Sequence, residues 1–267
     1  MREITINQND AGQRLDKFLT KYLVNMPQSM LYKSLRKNCV RVNGKHIKDG
    51  KYMLQNGDVL KLFFKDEFYE SKSSFKAGNS DIDVVYEDEN IILINKESGV
   101  VVHSDDKGTK DTLLERMQSY LYKKGEYNPE NEHSFSPSFC NRLDRNTSGI
   151  IAAGKTMKGL QELSSHFKER TLTKYYICIV AGKVDKRQLI KGYLYKDKKL
   201  NKVTICQTLP KGRDTSEYLP IETEYIPVAY SDNATLLKVH LITGRSHQIR
   251  AHLASINHPL AGDYKYG

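Results

Sequence analysis

The chain has 267 residues, with 42 Lys and Arg against 32 Asp and Glu and a formal net charge of +10. At about 150 residues per domain, that length suggests two domains. Hydrophobic residues make up 39%, including 17 Tyr and 8 Phe, which is enough for a core and excludes generic disorder. No apolar run reaches the roughly 18 residues of a membrane span. The start, MREITINQND, lacks a secretory apolar stretch, so the cytoplasm is the expected location. Cys39, Cys140, Cys178 and Cys206 are too scattered for a C-x-x-C metal site or a small disulfide scaffold, and are read as buried thiols. The charge is uneven. Residues 1–64 hold twelve Lys and Arg and five acids, net +7, which leaves +3 for the remaining 203. A basic N-terminal quarter on a nearly balanced body suggests a binding module attached to something else.

In chain order, Leu15, Phe18, Leu19, Tyr22 and Leu23 recur at helical spacing. Ser29 is the expected cap of a second short helix, with Met30, Leu31 and Leu35 facing inward and Lys33, Arg36 and Lys37 exposed. Asn43-Gly44, between Val40-Arg41-Val42 and Lys45, is a hairpin signal. Val59–Phe64 closes this region as a strand after the Asn56-Gly57-Asp58 turn. No acid interrupts the stretch from Lys21 to Lys48. Two helices and a basic hairpin, with R-L-D-K-F-L (14–19), S-L-R-K (34–37) and V-R-V-N-G-K (40–45), resemble the S4 RNA-binding domain. The resemblance implies that Lys33, Arg36, Lys37, Arg41 and Lys45 face structured RNA, against the plainer alternative that they only solvate a small domain.

Lys65–Ser80 is polar and aperiodic and is read as a linker, giving domains at 1–64 and 81–267. Beyond it, Ile82–Tyr86 and Ile91–Ile94 form an expected strand pair, and Val100–His103 another short strand. Thr112 or Asp111 caps a helix through Leu113, Leu114, Met117 and Leu121. Met157, Leu160, Leu163 and Phe167 have helical spacing, and Tyr175–Val180 has strand composition. Leu236–Ile242 is a strand, followed by a turn at 243–245 and a helical face of Ile249, Leu253 and Ile256. Strands dominate without regular alternation with helices, so the fold class is α+β.

One segment concentrates the chemistry: Phe139-Cys140-Asn141-Arg142-Leu143-Asp144-Arg145-Asn146-Thr147-Ser148-Gly149-Ile150-Ile151. An acid between two arginines is either a surface ion pair or a carboxylate held ionised by cations. Composition does not decide between these readings. The stretch R-L-D-x-x-T-S-G resembles the catalytic motif of the RluA family of pseudouridine synthases. Three further segments continue the likeness in order: Ile82–Asp88 through Asn95-Lys96, Ser98-Gly99-Val100 and His103; Lys174–Gly182; and Gly244–Leu253 with His258-Pro259 and Gly262–Gly267.

The resemblance implies a pseudouridine synthase fold, a largely antiparallel sheet with flanking helices, and conversion of uridine to pseudouridine in RNA. Ribosomal RNA is the favoured substrate and transfer RNA the alternative. It implies that Asp144 is the catalytic aspartate, as nucleophile or base, and that Arg142 enters the stack vacated by the target base. Tyr176 would stack on the flipped uracil, and Arg250 would pair with Asp144. The isomerisation involves no redox change, so no cofactor and no metal is expected, and a monomer suffices. Flipping a base costs a few kcal/mol, and an aromatic face recovers roughly 1–3 kcal/mol. Arginine suits the carboxylate because its planar fork binds two oxygens and stays charged.

His247 and His252 stand at i, i+5, which misses the i, i+4 face of a helical metal pair. Ser148 lacks the G-x-S-x-G frame of a nucleophile. The chain departs from the family pattern at Asn141, where a histidine is common, at Glu97 in place of proline, and at Cys178 in place of alanine. Family members also continue past the equivalent of Tyr266-Gly267, so a closing element at the C-terminus is expected to be missing. The competing readings are a non-catalytic RNA-binding or ribosome-assembly factor retaining the fold, and a hydrolase using Asp144. The basic module and the lack of a second paired carboxylate disfavour the hydrolase.

Overall fold

A computed structural model describes every residue except 70–74, 105–107, 198–199, 201 and 213, and the chain divides into two units, Met1–Phe167 and Lys168–Gly267. The first unit opens with β1 (Arg2–Thr5), α1 (Leu15–Tyr22), α2 (Gln28–Arg36), β2 (Val40–Val42), β3 (Lys45–His46) and β4 (Val59–Leu62). The strands make an antiparallel sheet in the order β1-β4-β2-β3. Leu15, Phe18, Leu19 and Leu23 are fully buried and pack with Leu31, Leu35, Val40, Leu60 and Leu62. Each such side chain contributes about 1.5–3 kcal/mol on burial. Asn43 and Gly44 both have positive φ, 50° and 77°, as a two-residue hairpin loop requires to match strand twist.

Two local expectations change here. Helix α2 starts at Gln28 behind Pro27, which makes no side-chain cap, so Ser29 lies inside the first turn. The buried stripe is Leu31, Ser34 and Leu35, and Met30, off that stripe, is 41% exposed. Proline can open the helix because its φ is already near the helical value. Of the expected linker 65–80, residues 70–74 lie outside the described residues. Phe68 and Tyr69 pack into the N-terminal core, and the Asn25 amide N–H donates to the Phe68 carbonyl.

The same unit continues with β5 (Val84–Glu87), β6 (Ile91–Lys96), α3 (Leu113–Lys123), β7 (Ser138–Phe139), β8 (Gly149–Gly154) and all but the last two residues of α4 (Met157–Glu169). The sheet order is β5-β6-β8-β7, all antiparallel. Thr112 caps α3 in a reciprocal box with Glu115. Val100–His103 is not a strand. The carbonyls of Val101 and Val102 accept from the amides of Leu113 and Leu114, satisfying first-turn donors of α3 instead of a ladder. Gly159 brings α4 directly onto the Asn90 carbonyl, where a Cβ would collide.

The N-terminal sheet module is bonded to residues 131–135 of the same unit. Asp10, with no exposed surface, accepts from the amides of His133 (3.0 Å), Ser134 (2.9 Å) and Phe135 (3.2 Å) and from the Ser134 hydroxyl (2.7 Å). Asn7 and Asn9 donate to Glu132, and Gln161 on α4 donates to the Gly12 carbonyl.

The second unit holds β9 (Tyr175–Ala181), β10 (Gln188–Asp197), β11 (Lys202–Cys206), β12 (Leu219–Tyr230), β13 (Ala234–Leu241) and α5 (Gln248–Ala254). Its antiparallel sheet runs β11-β10-β12-β13-β9. Val180, Ile190, Tyr225, Leu237 and Val239 pack against Leu253 of α5. Strands β10 and β12 carry no strong sequence signal, since Gly192, Pro220 and Pro227 interrupt their alternation and β12 is bulged near Pro227. The antiparallel sheets with packed helices bear out the α+β class.

Asp10→Ala would strand three backbone amides in a dry site. It should lower the unfolding free energy by about 2–4 kcal/mol, and Asp10→Asn by less because a carboxamide oxygen still accepts. Urea denaturation of both variants measures this, and an alanine variant as stable as the parent would remove Asp10 as the clamp.

Candidate active site

The segment around Asp144 is a loop between β7 and β8, held by backbone bonds at both ends. The Cys140 amide donates to the Ala152 carbonyl (2.8 Å), and the Ala152 amide donates to Asn141 Oδ1 (2.9 Å). Asn141 therefore ties the loop to β8 through a side-chain acceptor. Lys96, at the end of β6, holds the centre of the loop. It is fully buried, and its Nζ donates to the carbonyls of Glu97 (2.8 Å), Val100 (2.9 Å) and Arg145 (2.9 Å). The Gly99 amide also donates to the Arg145 carbonyl, Arg145 Nε returns a bond to the Gly99 carbonyl, and Ser98 Oγ donates to the Asn146 carbonyl. Burial pushes the Lys96 ammonium below the ordinary lysine value, and the charge of Asp144 pulls it back up.

Asp144 is half-buried and its carbonyl accepts from the Thr147 amide, which closes the turn that presents it. Arg142 is exposed, and the two flanking arginines differ in use, because the Nε of Arg145 is spent on the Gly99 carbonyl. His103 sits edge-on to Phe139, and burial followed by the charge of Arg142 lowers its pKa, which keeps the ring neutral near pH 7. The sequence gives His103 a place in a motif and no role of its own.

Tyr176 and Arg250 belong to the second unit. On β9 the side chains alternate, so Tyr175 is 53% exposed under the Lys238 ammonium while Tyr176 is half-buried against the β-sheet core. The two tyrosines, adjacent in sequence, thus lie on opposite faces. Arg250 on α5 forms a two-pronged bond to Asp263, Nε to Oδ2 at 2.7 Å and Nη2 to Oδ1 at 2.8 Å. Sequence reasoning names no role for Asp263. The signal that could have found it is the acid in the Gly262-Asp263 turn, thirteen residues beyond an arginine on a buried helix.

Beneath Arg250 the loop 243–248 is held by a dry polar network. Gln248, 2% exposed, donates to the Glu222 carbonyl and to Thr223 Oγ1, and its oxygen accepts from Thr243 Oγ1 and the Arg245 amide. His252 Nδ1 lies 3.0 Å from Thr223 Oγ1, and burial lowers its pKa to about 4. His252 is thus a neutral structural residue. Burial also pushes the Cys178 thiol up to about 11, which leaves it unreactive near neutrality. All four cysteines are free and half-buried rather than buried. Among the described residues, no three His, Cys, Asp or Glu side chains gather as a metal site, and no helix is long and apolar enough to cross a membrane.

On the N-terminal module, Lys33, Arg36, Lys37 and Lys45 are exposed and Arg41 is half-buried, with its guanidinium 5.7 Å from the Phe63 ring. Arg36 also borders an open groove of about 470 Å³ with Arg14, Tyr32, Lys48 and Lys51. Arg14 is partly neutralised there by a fork to Asp16. Sequence reasoning misses Lys48 and Lys51 because they follow the hairpin and share no helical or strand period with α2.

Residues 90–255 match the RNA pseudouridylate synthase family model and residues 13–60 the S4 domain. The ribosomal large subunit pseudouridine synthase C of Haemophilus influenzae is 32% identical over 100% of this chain and 79% of its own length. That of Vibrio vulnificus is 34% identical over 99% and 79%. An uncharacterized RNA pseudouridine synthase of Mycoplasma capricolum is 30% identical over 100% and 85%. The human RNA pseudouridylate synthase domain containing 1 structure shares the fold, with a TM-score of 0.56 and 21% identity over 72% of this chain and 73% of that one.

The His252 environment has a pH signature. Because its folded pKa, about 4, lies below the ordinary 6.5, the unfolded chain binds the proton first as pH falls. Its contribution is complete above about pH 7 and is lost between about 6.5 and 4, in total on the order of 3 kcal/mol. Urea denaturation from pH 7.5 to 5 should show this decline, and His252→Gln should flatten it.

Proposed function

The chain belongs to the RNA pseudouridylate synthase family and is an RNA pseudouridine synthase, and we propose that it converts specific uridines of ribosomal RNA, with Asp144 as the catalytic group. The ribosomal substrate is supported by the names of the relatives that match along the whole chain. The single observation that carries the catalytic assignment is the Asp144 loop itself. It combines the R-L-D-x-x-T-S-G stretch with a carboxylate presented on a turn that Lys96 and Gly99 lock at the Arg145 carbonyl.

The reaction breaks the C1′–N1 bond and joins C1′ to C5. The C5 proton is lost and N1 is protonated, so atoms balance without an electron acceptor. Asp144 acts on the flipped nucleotide, Arg142 fills the vacated stack, Tyr176 supports the uracil face, and Arg250 orients the carboxylate. Exposure of Arg142 and the inward side of β9 taken by Tyr176 are consistent with those roles. That all four lie in one chain supports a monomer, and a ribosomal substrate supports a cytoplasmic location.

Residues 1–64 form the S4-like RNA grip, 65–80 the connection and 81–267 the catalytic domain. The closed N-terminal core and the S4 match over 13–60 support this division. Lys33, Arg36, Lys37, Arg41 and Lys45 contact phosphates, giving affinity without sequence readout.

Asp144→Asn should abolish pseudouridine formation while RNA affinity stays within a few-fold, measured by pseudouridine mapping and filter binding. Retained turnover would sink the assignment, and an unmodified parent reaction would favour the non-catalytic reading. Neutralising Lys33, Arg36, Lys37 and Arg41 together should weaken binding and flatten its salt dependence. The slope should change by about 0.7 for each single-strand phosphate that is no longer neutralised. An unchanged slope would take these residues off the RNA face.

A further inference from the structure

Arg250 is gripped by the last turn of the chain. Asp263 meets the guanidinium edge-on, Oδ2 accepting from Nε at 2.7 Å and Oδ1 from Nη2 at 2.8 Å, and its side chain is only 5% exposed against 26% for Arg250. Asp263 is itself fixed. Its Oδ1 accepts from the Lys265 amide, its own amide donates to the Leu260 carbonyl, and its carbonyl accepts from the Gly267 amide. The Arg250 guanidinium beside it holds the Asp263 carboxyl below the usual carboxylate range, so the fork is charged on both sides near neutral pH. The Tyr266 ring stands 5.3 Å from the guanidinium carbon. The Tyr266 hydroxyl lies 2.8 Å from His247 Nδ1 and accepts from the Val203 amide at 3.0 Å, which anchors the ring to β11.

We propose that Asp263 is the positioning residue for Arg250: by occupying Nε and Nη2 it fixes the guanidinium plane, so that the cation meets the reaction in one orientation. A mobile arginine side chain has many rotamers, and a fork that removes that freedom before the substrate arrives preorganises the cation. Tyr266 and His247 limit tilting of the same plane. The inference rests on the reading of Arg250 as an active-site cation.

The test uses the full chain and a ribosomal RNA transcript that the parent modifies. Asp263→Asn keeps the volume and one acceptor but removes the charge and half of the fork. It should lower the single-turnover rate by about 10²-fold, the scale of a small misplacement of a catalytic group, while RNA affinity stays within a few-fold. In an Arg250→Lys background, where no fork can form, Asp263→Asn should cost nothing further. Parent-level turnover in Arg250→Lys would overturn the active-site reading of Arg250 and this inference with it. A slow Arg250→Lys beside a fully active Asp263→Asn, or losses that multiply in the double variant, would overturn the positioning role alone. Should circular dichroism show Asp263→Asn unfolded, Asp263→Glu, which displaces the carboxylate by one methylene, takes its place. A folded Glu variant should be slowed without loss of affinity, and parent-level turnover in it would overturn the proposal.

Discussion

A buried ammonium organises the loop that bears Asp144. Lys96 has no exposed surface, and its three bonds run to backbone carbonyls of two separate loop segments. Desolvating the charge costs several kcal/mol, while each hydrogen bond to a charged group returns about 1.5–3 kcal/mol. The terms nearly offset. What remains is geometry, since a lysine at this place binds the 97–100 turn and the Arg145 carbonyl to one point. An apolar side chain of equal size would remove the ammonium donor from all three carbonyls and leave the Arg145 carbonyl with the Gly99 amide alone. The loop would then be tied at its ends, by Asn141 and the β8 ladder, and at its centre by the partly exposed bonds of Ser98, Gly99 and Arg145.

The same device, a charged side chain buried among backbone partners, recurs at the N-terminal module. Asp10 accepts from three successive backbone amides and a hydroxyl, and so seats the module on residues 133–135. A peptide cradle of this kind is short-ranged and directional, unlike an exposed ion pair between flexible side chains. The RNA grip is thereby joined to the half of the protein that carries Asp144 by more than the chain between them. In the second unit the cradle is reversed, with an arginine held by a nearly buried carboxylate. In each case a buried charged side chain is locked by backbone groups, Asp263 among them through the Lys265 amide.

Charge distribution follows from this arrangement. Residues 65–267 are nearly neutral because acids balance their lysines and arginines, and Lys96 and Arg250 are each held singly by defined partners. On the N-terminal module, by contrast, the exposed lysines and arginines are spread over α2, the hairpin and the groove beside Lys48 and Lys51. Phosphate contacts tolerate such spread, since each contributes by neutralising charge rather than by exact placement.

From the sequence alone came the α+β class, the S4-like module, the helices at α1, α3 and α4, the hairpin at Asn43-Gly44 and the residues proposed for catalysis. These are legible because they depend on local periodicity, on turn residues with positive φ, or on short motifs whose chemistry is written in order. Tertiary structure alone decided the rest. Strands β10 and β12 are held by their neighbours against interrupting glycine and prolines, so their own pattern is weak. Val100–His103 reads as a strand by composition, yet its carbonyls are claimed by the first turn of α3. The Lys96 clamp, the Asp10 cradle and the Asp263 fork join residues 49, 123 to 125 and 13 positions apart. No local propensity encodes such contacts, because a buried charge selects its partners only once the fold has removed water as the alternative.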